Sequence, residues 1–315
     1  MSACSLQQDL FAQEYAQLGA SSPEIFWPRV SDLTQRVIQT AKNQLSSLIP
    51  SDTLIAIATT GSDSRFEKAG LDSPLELIII SPTRESLPEE TKNKVLSLLT
   101  NPLIFPDIEY VFLDTDRVGM FGNKKVIPTR ALDAYFLAGN RDTFQAYKKQ
   151  LFSEIQEKTI KLALFRKEFI RPALKAIEKT MSNSGGYIEL QSGTVQYAQK
   201  GGRGIKHDLL RTVQYPLALA LCYAVQQNKC SSEQFLSFPQ TIQRRISWLR
   251  ERGHISLTDE KTRALFSAYT QATIWYAQLN TLSQQKDGEP VKLSFPQESL
   301  QQAVQTIQTT MKEIS

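Results

Sequence analysis

The pattern of apolar and polar residues predicts strands and helices in alternation over the first part of the chain. Short apolar runs rich in β-branched residues, too short for helices, predict strands at residues 54–58, 75–80 and 107–113. Apolar residues at helical spacing predict helices over residues 31–48, with Ser31 as the N-cap, and over residues 88–99. This alternation predicts an α/β sheet covered by helices.

The second part of the chain has a helical pattern. Strand signals stop near Pro128, and helices are predicted over residues 130–178, 208–226, 232–252, 259–282 and 297–314. The predicted fold class is therefore α+β/α, a mixed sheet with helices followed by an all-helical domain. The expected division is residues 1–50 as N-terminal helices packing on the domains, 51–140 as the α/β domain and 141–315 as the helical domain.

Composition narrows the classes of protein that the chain can represent. It has 315 residues, of which 41% are hydrophobic and 22% charged, as is ordinary for a globular protein. It lacks an apolar stretch of about 20 residues and an N-terminal secretory pattern, so we expect a cytoplasmic protein without a membrane partner. The net charge of +4 does not require a nucleic-acid partner. The three cysteines and two histidines suit neither a disulfide framework nor a multi-histidine metal centre.

The segment between the first two predicted strands carries the candidate chemistry. It reads IATTGSDSRFEKAGLDSPLELIIIS over residues 57–81. Gly61 would let the backbone approach a phosphate closely, Ser62 would offer its hydroxyl, and Arg65 would add bidentate contacts. The alternative is that the Gly-Ser pair is only a turn after a strand.

A second basic cluster follows in residues 200–207. Lys200 and Arg203 lie among three glycines, which would allow a close approach to a phosphate or to an acidic partner. The alternative is a flexible loop before the next helix.

These motifs resemble the nucleotidyltransferase superfamily. The stretch GSDSR-x-E before an acidic residue and a strand is similar to the bacterial PII-uridylyltransferase type, and to putative nucleotidyltransferases that share its helical C-terminal region. Residues 127–152, 197–221 and 246–282 resemble further segments of these proteins in the same order. The resemblance implies a nucleotidyltransferase-like sheet domain. It also implies transfer of a nucleoside monophosphate from a nucleoside triphosphate to a protein acceptor, with magnesium ions held by a D-x-D carboxylate pair and a third carboxylate.

The carboxylate pair departs from the family pattern. The stretch Asp72-Ser73-Pro74-Leu75-Glu76 places no two carboxylates at i and i+2. On a regular strand Asp72 and Glu76 would lie about 13 Å apart, too far to hold one pair of ions. Glu109, two residues after Asp107 on the third strand, is the other candidate, although the usual exposure of carboxylates favours solvated charges at a strand edge for both. The candidate catalytic and metal residues are therefore Glu76, Asp72 and Glu109.

Two functions follow from this damaged motif. One is a nucleotidyltransferase of weakened or lost activity that uses a nucleoside triphosphate, magnesium and a protein acceptor. The other is a pseudoenzyme whose cleft binds a nucleotide without turnover or serves a protein partner. A nucleic-acid acceptor is disfavoured, because the aromatic residues have the spacing of helix cores and no basic stripe accompanies them.

Overall fold

The computed structural model describes residues 13–15, 17–69, 75–98, 106–121, 125–182, 188–197, 204–285 and 291–314. The N-terminal half contains, in chain order, α1 (Pro23–Leu48), β1 (Ala56–Thr59), α2 (Gly61–Ser64), β2 (Leu75–Ser81), α3 (Glu89–Leu98), β3 (Pro106–Phe112), β4 (Met120–Phe121), β5 (Lys125–Val126), α4 (Pro128–Asp133) and β6 (Tyr135–Gly139).

The N-terminal half is built on a mixed four-stranded sheet of order β3-β2-β1-β6. Strand β1 pairs antiparallel with both β2 and β6, whereas β2 and β3 are parallel. The chain runs through α3 between β2 and β3, as a parallel connection requires a crossover. The mixed sheet with covering helices confirms the fold class predicted for this half.

The fourth strand was not predicted from the sequence. Residues 130–178 were expected to be helical, but β6 crosses this range as an edge strand. Its five residues, YFLAG, are too few to show a clear alternation of apolar and polar side chains, and their burial does not alternate either. The strand forms because it pairs with β1, more than 70 residues earlier in the chain, at Ala56 and Gly139.

The first long helix begins earlier than its pattern suggested. Helix α1 starts at Pro23, so Ser31 lies inside the helix and is not an N-cap. Pro23 suits the first turn, where a backbone N–H has no helical partner, while Pro28 is accommodated inside the helix. Phe26 and Val30, on either side of Pro28, are completely buried. Tertiary packing thus extends the helix across a residue that locally disfavours it.

The C-terminal half is mostly helical. It contains α5 (Arg141–Gln156), α6 (Leu162–Phe165), a first π-helical segment (Arg166–Ile170), α7 (Arg171–Met181), β7 (Ile188–Glu189), a 3₁₀ turn (Leu190–Ser192), β8 (Thr194–Tyr197), a second π-helical segment (Lys206–Leu210), α8 (Arg211–Gln226), α9 (Ser232–Leu236), α10 (Ile242–Glu251), α11 (Asp259–Gln285), β9 (Val291–Ser294) and α12 (Gln297–Ile314).

The C-terminal half differs from the predicted all-helical domain in two places. Strands β7, β8 and β9 form a small antiparallel sheet, in which β8 pairs with β9 about 100 positions later, and this pairing leaves little local signal. The single helix predicted over residues 232–252 is two helices, α9 and α10, separated by a break that contains Pro239. Proline disfavours a continuous helix there because it lacks the backbone N–H.

The two faces of the main sheet are buried in two different cores. On one face, Ile57, Leu77 and Ile79 pack with apolar residues of α1 such as Ala41 and Leu45. On the other face, alternate residues, including Ala58, Ile78 and Ile80, belong to a core that continues through the C-terminal helices. The sheet is therefore covered on both sides. Among the described residues, no helix has the length and apolar character needed to span a bilayer.

A buried lysine joins α5 to the end of α4. The Lys148 ammonium donates to the carbonyls of Ala131 and Leu132, at 2.8 Å each. These carbonyls belong to the last turn of α4, where most helical N–H partners are missing, and that of Ala131 also accepts the N–H of Ala134 at 3.3 Å. Burial, with a smaller effect of the Arg245 charge, lowers the pKa of Lys148 to about 7.

This lowered pKa predicts that Lys148 makes stability depend on pH. Between about pH 7 and the ordinary lysine pKa of 10.5, the unfolded chain holds the proton and the folded protein has released it. The free energy of unfolding should therefore rise with pH in this window, relative to a Lys148→Met variant, by up to about 1.4 kcal/mol per pH unit. Urea unfolding of both proteins at pH 7, 8 and 9 measures this difference, and a difference independent of pH would contradict the assignment.

Candidate functional site

A pocket of about 400 Å³ lies at one edge of the main sheet, against the C-terminal helices. The C-terminal end of β1 and the N-terminal ends of β2 and β3 meet at this edge. Gly61, Ser62, Glu76 and Asp107 line it from the sheet, and we call them the sheet wall. The helical wall consists of Phe169, Lys206, Arg211, Tyr215 and Tyr276. We refer to the whole cavity as the sheet-edge pocket.

The glycine–serine turn brings three of the sequence-predicted residues together. Gly61 has φ +73°, which favours glycine, and a Cβ at this position would lie 2.9 Å from Oε2 of Glu76. The backbone N–H of Thr60 donates to the carbonyl of Glu76 at 3.0 Å, which fixes the turn to the start of β2. Gly61, Ser62 and Glu76 therefore line the sheet-edge pocket side by side.

The register of the parallel strands determines which carboxylate accompanies Glu76. Glu76 is the partner of Asp107, and Ile78 is the partner of Glu109. Asp107 lines the sheet-edge pocket, whereas Glu109 does not and forms an ion pair with Arg130. Burial raises the pKa of Glu109, Arg130 opposes this rise, and the charges of Asp107 and Glu76 add to it. Glu109 thus lies close enough to both Asp107 and Glu76 to feel their negative charge.

A set of three or more metal-binding side chains is not found among the described residues. Asp72, Lys200 and Arg203, which the sequence proposed as metal or phosphate ligands, lie outside the described residues. Their roles stay predictions.

Arg65 lines the sheet-edge pocket but is held by carboxylates. Its side chain is 9% exposed, its Nε donates to Glu67 at 3.2 Å, and its Nη1 pairs with Asp133. Asp133 also accepts a bond of 2.6 Å from Nη1 of Arg245. Two buried arginines therefore share one carboxylate, and the predicted phosphate ligand Arg65 is part of this internal network.

Glu67 extends the same network into the C-terminal helices. Its carboxylate accepts the backbone N–H of Ile242 at 2.6 Å and the hydroxyl of Tyr269 at 3.1 Å. The Tyr269 hydroxyl in turn accepts a bond of 3.0 Å from Gln214. Burial raises the pKa of Glu67, and the Arg65 charge opposes this rise. The floor of the sheet-edge pocket is thus a buried polar network that joins the two halves of the chain. We call Arg65, Glu67, Asp133, Arg245 and Tyr269 the floor network.

A second buried ion pair lies beside the turn. Lys68 is 3.2 Å from Oδ1 of Asp63, and both residues line the sheet-edge pocket. Burial raises the pKa of Asp63, and the Lys68 charge opposes this rise. The cation of Lys68 is thus engaged by a neighbouring carboxylate in the same turn.

The helical wall supplies two further positive charges. Lys206 lies with its ammonium 5.6 Å from the centre of the Tyr276 ring, and Arg211 begins α8 one turn later. Both π-helical segments reach this wall, the first through Phe169 and the second through Lys206. Such segments are rare in helices and are frequent at functional sites, because they redirect side chains.

Sequence reasoning missed most of the floor network. Asp133, Arg245 and Tyr269 meet Arg65 and Glu67 across 68 to 202 positions, so no spacing rule connects them. In the sequence, Asp107 was a candidate beside Glu109. Alternate residues of a strand face the same side, so the sequence alone does not decide which of the two carboxylates lies next to Glu76. Lys206 belongs to the basic cluster noticed in the sequence.

Comparison with known proteins adds no further assignment. No protein-family model matches the chain, and none of the curated proteins matches it significantly.

Proposed function

We propose that the sheet-edge pocket binds a nucleoside triphosphate together with one divalent cation, in a nucleotidyltransferase-like protein whose transfer activity is weakened or lost. One observation carries this proposal: a single pocket has the carboxylates Glu76 and Asp107 on one wall and the cations Lys206 and Arg211 on the other. A metal–polyphosphate ligand needs both kinds of group, because its cation seeks carboxylates and its phosphates seek positive charge.

The chemistry of the sheet wall suits a magnesium ion. Mg²⁺ typically takes one or two protein carboxylates and completes its coordination with phosphate oxygens and water. Glu76 and Asp107, on neighbouring strands, supply two such carboxylates. A bound Mg²⁺ would neutralise part of the phosphate charge and orient the polyphosphate.

The phosphates are assigned to residues on both walls. Ser62 offers a hydroxyl, and Gly61 allows the backbone to approach the ligand. Lys206 and Arg211 supply positive charge from the helical wall. Arg65, whose Nε and Nη1 are already bonded to carboxylates, is assigned to holding the floor network instead.

Weakened transfer is inferred from the sequence. Two-metal phosphoryl transfer uses carboxylates that converge on both ions, and residues 72–76 offer no two carboxylates at i and i+2 to match the D-x-D pair of the resembled family. The second candidate function is slow transfer of a nucleoside monophosphate to a protein acceptor. It is favoured by the adjacency of Glu76 and Asp107, which retains a place for one ion.

Nucleotide binding is expected to stabilise the protein, and Glu76 should make that effect depend on magnesium. Thermal unfolding with ATP, GTP, CTP or UTP in millimolar Mg²⁺ should give a midpoint several degrees higher for at least one nucleotide, since ligand at 100 times its Kd adds about 2.7 kcal/mol. Glu76→Gln removes a metal-binding charge but keeps the side-chain volume. Most of the magnesium-dependent shift should therefore be lost.

A matched control is Glu260→Gln, an exposed carboxylate at the start of α11 and outside the sheet-edge pocket. It should keep the wild-type shift. Equal shifts for Glu76→Gln and wild type would refute the metal assignment, and the lack of a shift with all four nucleotides would refute the proposed function.

The two candidate functions differ in their products. In a transferase, an acceptor hydroxyl attacks the α-phosphorus, the bond to the β-phosphate breaks and pyrophosphate leaves. Nucleotides labelled at the α-phosphate, incubated with the protein, Mg²⁺ and lysate, would then label a protein acceptor. Binding without any label above that of Glu76→Gln identifies the pseudoenzyme.

A further inference from the structure

Tyr215 holds a fixed position on the helical wall. It lies in the second turn of α8, and its ring makes edge-to-face contacts with Phe169 and Phe165, with centres 5.7 and 5.9 Å apart. Phe165 is completely buried, so these contacts anchor the tyrosine ring to the core of the C-terminal half. The direction of the side chain is therefore set by packing.

Tyr215 lines the sheet-edge pocket together with charged residues of both walls, among them Glu76 and Arg211. Burial raises its pKa, Arg211 and Arg65 oppose that rise, and Asp133 and Glu76 add to it. All four charged residues line the sheet-edge pocket with Tyr215. Since its pKa is raised, the hydroxyl keeps its proton at neutral pH and remains a hydrogen-bond donor.

This hydroxyl differs from that of the other tyrosine near the floor of the pocket. The Tyr269 hydroxyl bonds to Glu67 and Gln214 and is part of the floor network. The Tyr215 hydroxyl forms no hydrogen bond with the residues that the structure describes, although the side chain is half-buried. A partly desolvated phenol gains more free energy from a hydrogen bond to a charged acceptor than to a neutral one, and a phosphate oxygen is a charged acceptor.

We propose that the Tyr215 hydroxyl donates a hydrogen bond to a phosphate oxygen of the ligand in the sheet-edge pocket. The inference rests on the proposed function and adds to it a neutral donor between the carboxylates and the cations. Because Tyr215 is anchored on Phe165 and Phe169, the donor is positioned before the ligand arrives, which reduces the entropy lost on binding.

The test compares Tyr215→Phe with the wild type in calorimetric titrations. The variant keeps the ring and its aromatic contacts and loses only the hydroxyl. Two probes are used, the tightest-binding of the four nucleoside triphosphates and inorganic tripolyphosphate, each with Mg²⁺. The Kd of Tyr215→Phe should be about tenfold or more above wild type for both probes, as expected when a hydrogen bond to a charged group is lost.

The control is Tyr223→Phe, two turns later on the same helix and outside the sheet-edge pocket. It should bind both probes as the wild type does, and thermal unfolding without ligand verifies that Tyr215→Phe is folded. Unchanged affinity of Tyr215→Phe, with wild-type binding intact, would overturn this inference alone. A loss confined to the nucleotide would place the contact on the sugar or base and also overturn it. If the wild type binds neither probe, the proposed function itself fails.

Discussion

Replacing Asp133 with alanine is expected to lower the free energy of unfolding by about 3–5 kcal/mol, the range measured when one partner of a buried ion pair is removed. Asp133 compensates Arg65 and Arg245, whose side chains are only 9% and 3% exposed. Without the carboxylate, two guanidinium groups would remain in a poorly solvated interior. Chemical unfolding of the wild type and the variant measures the loss.

An exposed ion pair provides the comparison for this effect. Glu313 pairs with Lys261 at 2.6 Å, but both side chains are more than a third exposed. Glu313→Ala should change stability by less than about 1 kcal/mol, because water screens and replaces such contacts. A quadruple variant with Asp133→Leu, Arg65→Met, Arg245→Met and Glu67→Gln should recover part of the loss, because it removes the buried charges together, including that of Glu67, which would otherwise lose its partner Arg65. A loss below about 1 kcal/mol for Asp133→Ala would show that the network contributes little.

Gly139→Ala is expected to destabilise the protein by about 2–5 kcal/mol, because the backbone would be strained and the added Cβ would clash with a neighbouring carbonyl. Gly139 has φ +84°, and a Cβ there would lie 2.2 Å from the carbonyl oxygen of Ile55. That oxygen accepts the N–H of Asn140 at 2.7 Å, where β6 ends beside β1. The backbone must shift to admit the methyl group, which disturbs the pairing of β6 with β1. Thermal and chemical unfolding would report the loss.

Gly253→Ala separates the contribution of backbone strain from that of the steric clash of the added Cβ. Gly253 has φ +68°, nearly the same backbone strain, but nothing lies within 4 Å of the position of its Cβ. It should cost only about 1 kcal/mol, the usual penalty for a non-glycine residue in this conformation. If the two variants lose equal stability, the contact with Ile55 does not constrain β6.

Local patterns were enough for much of the N-terminal half. Strands β1, β2 and β3 were located within about two residues, because fully or half-buried strands leave apolar runs that need no knowledge of their partners. The turn at Gly61 and Ser62 was also recognised, since glycine marks positions where the backbone leaves the usual conformations. Helix α1 was recognised, but its start was misplaced because Pro28 locally favours an interruption.

The sequence by itself determined a mixed sheet, a helical second half and a glycine–serine turn followed by an acidic segment. Only the tertiary structure decided that β6 completes the sheet, that Asp107 stands beside Glu76, and that Arg65 is held by Glu67 and Asp133. The physical reason is the separation along the chain over which each kind of interaction acts. Hydrophobic period and turn chemistry act over a few residues, whereas strand register and buried ion pairs depend on groups that lie up to 200 positions apart and meet only after the chain has folded.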